Sequence, residues 1–161
     1  MFADQAYDLA EKAHAGQKRR NGDDYFAGHV VPVYKRVLFI CEDVFFSDQL
    51  VDEALSVALL HDVLEDTNVT VKQLQEIFPD RVVAAVVLLT KKNNEEYASY
   101  IIKLCELYEN SHFENGVYKM ALIVKLCDLD HNMSDFTEDD KRGSQYAKYK
   151  LAKYLIERTL E

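Results

Sequence analysis

Residues 54–67 constrain this chain most. The apolar run Ala54-Leu55-Ser56-Val57-Ala58-Leu59-Leu60 opens directly onto His61-Asp62, and Glu65-Asp66 follow one turn later. A run of that spacing predicts a helix packed into a core. Continued as one helix, it sets His61 and Glu65 four residues apart on one face. Three carboxylates and an imidazole beside a core are expensive unless something compensates them. A divalent cation compensates all of them at once. The alternative is a helix end whose acids point into water.

The rest of the chain repeats the pattern. Val117 to Cys127 is apolar at helical spacing and runs into Asp128-Leu129-Asp130-His131-Asn132-Met133, with Asp128 and Asn132 sharing a face. His29 opens a second helix carrying Val30, Val33, Val37 and Leu38, with Pro32 in its first turn. Ala3 to His14 forms a first helix with the stripe Ala6, Leu9, Ala10 and Ala13. Ser47 caps a third helix ending at His61, and Thr70 with Gln73 makes a capping box for Val71 to Phe78. Arg81 to Leu89 is apolar almost all round, which predicts a buried helix, with a buried strand as the competitor. Asn94 is expected to cap Glu95 to Tyr108, and Asn110 to Gly116 forms a loop containing His112. After the hydrophilic stretch Thr137 to Gly143, Ser144 to Leu160 makes a last helix whose Tyr146, Tyr149 and Tyr154 read as core and rim packing. With five Gly and two Pro in 161 residues, an all-β fold lacks its turns. The expectation is one all-α domain over residues 1–161, a helical bundle.

Composition narrows the function classes. A formal charge of −9 argues against a nucleic-acid surface, which selects basic stripes. No apolar run spans a bilayer and no secretory segment opens the chain, so no membrane partner is expected. Cys41, Cys105 and Cys127 are odd in number and lack Cys-x-x-Cys spacing, which fits a reducing cytoplasm. The densest basic cluster is Lys18-Arg19-Arg20. It reads either as a solvated loop or as an anion clamp in which arginine offers a fork of donors to phosphate. Lys91-Lys92 is a second basic pair. The Tyr and Phe content allows a homodimer without requiring one.

A metal held by imidazole and carboxylate suits first-row ions such as Mn²⁺, Fe²⁺ or Zn²⁺. Such an ion acidifies a bound water toward a pKa of about 7 and grips a phosphoryl oxygen. Nearby carboxylates move the proton. The chemistry is metal-assisted hydrolysis of a phosphate ester or anhydride.

The order His29, His61-Asp62, Asp128 resembles the HD-domain metal-dependent phosphohydrolases. Three segments narrow the resemblance: Ala13-His14-Ala15-Gly16-Gln17-Lys18-Arg19, Leu59 to Thr67, and Val124-Lys125-Leu126-Cys127-Asp128 with His131-Asn132-Met133. Together they are similar to the alarmone hydrolases, the hydrolase half of RelA/SpoT-type proteins and the short Mesh1-like enzymes. These remove the 3′-pyrophosphate of guanosine tetra- or pentaphosphate (ppGpp). The resemblance implies an HD helical bundle with His29, His61, Asp62 and Asp128 as metal ligands, usually for Mn²⁺. Glu65 and Asp66 would be the catalytic acids, Asn132 a nucleotide contact, and Lys18, Arg19 and Arg20 phosphate contacts. It makes the partner a small phosphorylated nucleotide. Two departures stand out. The family's P-Y-x-x-H reads Asp24-Tyr25-Phe26-Ala27-Gly28-His29 here, one residue longer, and the arginine of its D-R-x-H-N is Leu129. Another nucleotide or phosphorylated metabolite, such as NADPH, is the alternative substrate, and a non-catalytic metal- or nucleotide-binding module the alternative class. His131 reads as a group supporting the site or as packing, and His14 as a helix cap.

Overall fold

The structure is a computed structural model and describes residues 1–44, 47–111 and 116–161. His112 lies outside the described residues. Nine α-helices follow one another among them. They are α1 (Phe2–Ala13), α2 (Val31–Val44), α3 (Asp48–Leu60), α4 (Val63–Asp66) and α5 (Val71–Gln75), then α6 (Asp80–Leu89), α7 (Tyr97–Glu109), α8 (Gly116–Ser134) and α9 (Ser144–Leu160). A π turn, Phe26–Val30, leads into α2, and a 3₁₀ turn, Asp140–Arg142, precedes α9.

Each helix begins where its local chemistry allows. The Ser47 hydroxyl accepts from Leu50 N at the head of α3, and Thr70 and Gln73 close a capping box on α5. The free N–H groups of Phe2 and Ala3 at the head of α1 donate to the Asp52 carboxylate on α3 at 2.8 and 3.0 Å. That bond ties two helices end to side and satisfies donors that have no intrahelical partner. Arg81 to Leu89 is helical, as expected, although Val87 faces solvent. The cap of α7 is Glu96 and not Asn94.

Two apolar clusters share one wall. The larger gathers α1, α2, α3, α5, α6 and one side of α8 around fully buried Leu59, Leu60, Val86 and Met120. The smaller joins Tyr100, Ile101 and Leu104 of α7 to Ile156 of α9 across Leu122 and Leu129 of α8. So α8 is buried on both sides, which explains why its sequence is apolar almost all round. The helix continues through residues 128–134, so Asp128 and His131 project from within it rather than beyond its end. Tyr149 packs beside this cluster, whereas Tyr154 is exposed, so the expected tyrosine stripe is only partly packing.

Candidate metal centre

Three elements converge above the larger core. His29 arrives on the π turn, His61 at the end of α3 and Asp128 on α8. All three are buried, and one ligand atom from each lies within 4.8 Å of the others. His29 Nε2 is 3.2 Å from His61 Nε2 and 3.3 Å from Asp128 Oδ1. Asp62 joins them, its Oδ2 lying 2.9 Å from His61 Nε2 and 3.3 Å from His29 Nε2.

The donor chemistry of this cluster fits a cation. His61 Nδ1 lies 2.7 Å from the Ala58 carbonyl, which only accepts, so Nδ1 carries a proton and the Nε2 lone pair is left to take either a second proton or a cation. That lone pair faces another imidazole nitrogen and two carboxylates. Burial by itself would lower His61, yet Asp62 and Asp128 overcome it and raise it to about 9. Burial also opposes protonation of His29, and the same two aspartates again win and raise it. In return the imidazoles, with Lys125 beside Asp128, hold both aspartates below the usual carboxylate range against the opposing effect of burial. The cluster therefore demands positive charge at its centre, and mixed imidazole and carboxylate donors suit a first-row divalent ion.

The third helix ends with His61 as its C-cap, as expected, so His61 and Glu65 are not paired on one continuous helix. It stops at Leu60, and Asp62, with φ −107° and ψ −3°, starts a separate turn, α4. Glu65 and Asp66 thus sit on the rim rather than in line below His61. Glu65 Oε2 accepts from Lys91 N at 3.1 Å, and Asp66 O accepts from Gln17 Nε2 at 2.7 Å. Gln17 is held in turn by fully buried His14, through Nδ1 at 2.8 Å. Partial burial and the Asp62 charge push both rim carboxyls up.

A cavity of about 610 Å³ opens over the cluster. Its lining includes His29, Asp62 and Asp128 of the cluster, Glu65, the cations Lys91, Lys125 and Lys148, and the rings of Tyr97 and Tyr149. Lys125 Nζ contacts Asp128 Oδ2 at 2.8 Å and stands 5.9 Å from the ring centres of Tyr97 and Tyr100. Asn132 lines the cavity and donates to Asp128 Oδ1 at 2.6 Å. Lys125 and Tyr25 are the site residues that sequence reasoning missed. Tyr25 Oη donates to Asp62 Oδ2 at 2.6 Å, with Asp66 Oδ2 at 3.3 Å.

The basic loop is placed differently from the rest. Arg20 pairs with Asp140 at 2.8 Å and borders a smaller adjoining cavity of about 320 Å³. Lys18 is well exposed, 4.0 Å from Asp24. Arg19 turns inward with its side chain 11% exposed, and its guanidinium meets Gly28 O, His131 Nδ1 and Asp135.

No family model matches the chain. It is 30% identical over 151 residues to the guanosine-3′,5′-bis(diphosphate) 3′-pyrophosphohydrolase of Borreliella burgdorferi, covering 93% of this chain and 21% of that protein. It is 31% identical over 140 residues to the GTP pyrophosphokinase rsh of Brucella ovis, covering 85% and 17%. The chain spans about a fifth of the length of these relatives. A solved structure described as a metazoan orthologue of SpoT that hydrolyses ppGpp superposes with a TM-score of 0.68 at 18% identity, over 98% of this chain and 93% of that one.

The sequence similarity to these relatives, with the buried His29, His61 and Asp128 group, puts the chain among the HD-domain phosphohydrolases. More narrowly, the chain is a homologue of the ppGpp hydrolases over the segment it shares with them.

Proposed function

We propose that this site hydrolyses a phosphorylated nucleotide, and that the reaction is removal of the 3′-pyrophosphate of guanosine-3′,5′-bis(diphosphate). The observation that supports it most is that buried His29, His61 and Asp128 bring ligand atoms within 4.8 Å of one another, with Asp62 against both imidazoles, beside a cavity whose lining includes Lys91, Lys125 and Lys148. These four side chains would hold one divalent ion, Mn²⁺ by the family resemblance. Bound there, the ion supplies Lewis acidity toward a phosphoryl oxygen and water.

The chain's own residues do the rest. Glu65, fixed on the rim by the Lys91 amide, takes a proton from the attacking water, and Asp66 beside it is the second acid of the pair. The bond from the attacked phosphorus to the 3′-oxygen breaks as the bond to water forms, the departing 3′-oxygen takes a proton from Asp66, and Lys125 and Lys91 offset the negative charge of the pyrophosphoryl group that passes to water. Tyr97 and Tyr149 offer apolar faces to the nucleoside, and Asn132 a polar one. Arg20, which borders the second cavity, and the exposed Lys18 nearby in the same loop would meet the distal phosphates.

The test is turnover by the Mn²⁺-loaded protein of guanosine tetraphosphate, NADPH and nucleoside phosphates, with products resolved by ion exchange. Pyrophosphate and guanosine diphosphate are expected from the first compound. Turnover of another compound alone would overturn the substrate, and binding without any product would overturn the catalytic reading.

A further inference from the structure

The geometry points to Arg19 and His131 as a positioning pair that fixes which nitrogen His29 turns to the metal. This rests on the reading of His29 as a residue that holds the ion. Arg19 Nη1 lies 3.1 Å from His131 Nδ1, and arginine has donors only. His131 Nδ1 must therefore be an acceptor. His29 Nδ1 lies 3.0 Å from the same atom, so the one lone pair of His131 Nδ1 is shared between two donors, Arg19 Nη1 and His29 Nδ1–H. His29 thus carries its proton on Nδ1 and offers the Nε2 lone pair to the centre. On the other side of the cage, His61 reaches the same state through the Ala58 carbonyl. Both imidazoles are set as ligands by bonds made away from the site, the arrangement that orients metal-binding histidines in general.

Arg19 is built into the fold for this part. Pro32 has no N–H to give the carbonyl four residues back, which is Gly28 O, and Arg19 Nη1 donates to that carbonyl at 2.7 Å. Asp135 neutralises the guanidinium from the other side. The loop that delivers Arg19 closes through Arg19 N to Asp23 O at 2.8 Å and Gly22 N to Arg19 O at 2.9 Å. Gly22 has φ +91°, a conformation that side chains resist. Three of the five donors of Arg19 are engaged in these contacts, while its side chain still borders the smaller cavity.

The test is calorimetric titration of the metal-free full chain with Mn²⁺, and with Zn²⁺ as a second probe. His131→Leu and Arg19→Met are expected to weaken binding by about 10- to 100-fold. His131→Asn, which puts an amide oxygen where the imidazole puts Nδ1, is expected to stay within a few-fold of wild type. If His131→Leu and Arg19→Met bind metal like wild type, the inference fails. The same holds if His131→Asn is as weak as the leucine variant. Should Arg19 serve substrate instead, Arg19→Met keeps wild-type metal affinity and only raises KM. Wild type that binds neither ion would sink the metal reading itself, a different outcome from these.

Discussion

Raising the pH should loosen the metal-free protein and leave the metal-loaded protein firm. In EDTA, His61 keeps a proton that Asp62 and Asp128 hold up to about 9, against about 6.5 in an unfolded chain. A group raised on folding contributes fully below its unfolded value and loses that contribution as the pH climbs through its folded value. The interval from about 6.5 to about 9 corresponds to about 3 kcal/mol. His61 is buried, so solvent screening takes little of it. For a chain of this size that is a fall in Tm of about 6–12 °C. Asp62 and Asp128 are lowered on folding, so their contribution disappears only as the pH falls below the ordinary carboxylate range. It reflects the same charge pairing and is not added. A divalent ion needs the imidazoles unprotonated, so its binding strengthens as the pH rises. The assay is thermal unfolding followed by circular dichroism from pH 6 to 9, in EDTA and in excess Mn²⁺, with His61→Leu as the variant whose metal-free curve flattens. A metal-free Tm that stays level or rises between pH 6.5 and 9 would refute the account of the cage as a proton trap.

Asp62→Ala should abolish calorimetric Mn²⁺ binding as well as turnover, and full occupancy in that variant would remove Asp62 from the ligand set. Glu65→Gln should keep the metal and slow hydrolysis by about 100-fold or more, because shape stays while proton transfer goes. An unchanged rate would reduce Glu65 to a rim acid. Away from the site, fully buried Glu53 leans on Arg81 at 2.8 Å and Gln49 at 3.0 Å. Arg81→Ala should cost up to about 3 kcal/mol in urea unfolding, the lower end for breaking a buried pair because the Arg81 side chain is 44% exposed. Glu53→Met, which removes the charge with little change of volume, should lie near wild type.

What was legible in the sequence was whatever repeats locally. Ala54 to Leu60 and Val117 to Cys127 announce buried helices by period alone, and each runs straight into the acids of the site. The end of the third helix at His61 was read, but the separate turn Val63–Asp66 that follows it was not, because nothing in His61-Asp62-Val63-Leu64 marks a second start. It is set by tertiary demand, with His61 buried against Asp128 while Glu65 turns to the Lys91 amide. Lys125 was passed over for a similar reason. A lysine in an apolar helix usually reaches for water, and only the fold shows Asp128 and two tyrosines around it. The contacts of Arg19 were not legible either, because a basic run in a Gly-containing loop suits a surface clamp and its acceptors lie 9, 112 and 116 residues away in sequence.

The extra residue before His29 and the inward arginine belong to one structural solution. One added residue in a regular helix rotates everything before it by about 100°. Here Tyr25 and His29 must both face Asp62, and both do, with their rings 5.2 Å apart. The addition is taken up as a π turn, in which Val31 N bonds back five residues to Phe26 O. Val33 and Val37 of α2 stay fully buried in the core. That turn and Pro32 together leave the Gly28 carbonyl available, and Arg19 occupies it. Restoring the shorter spacing without also replacing Arg19 would therefore break two things at once: the direction of His29 and the anchor of the side chain that helps hold it.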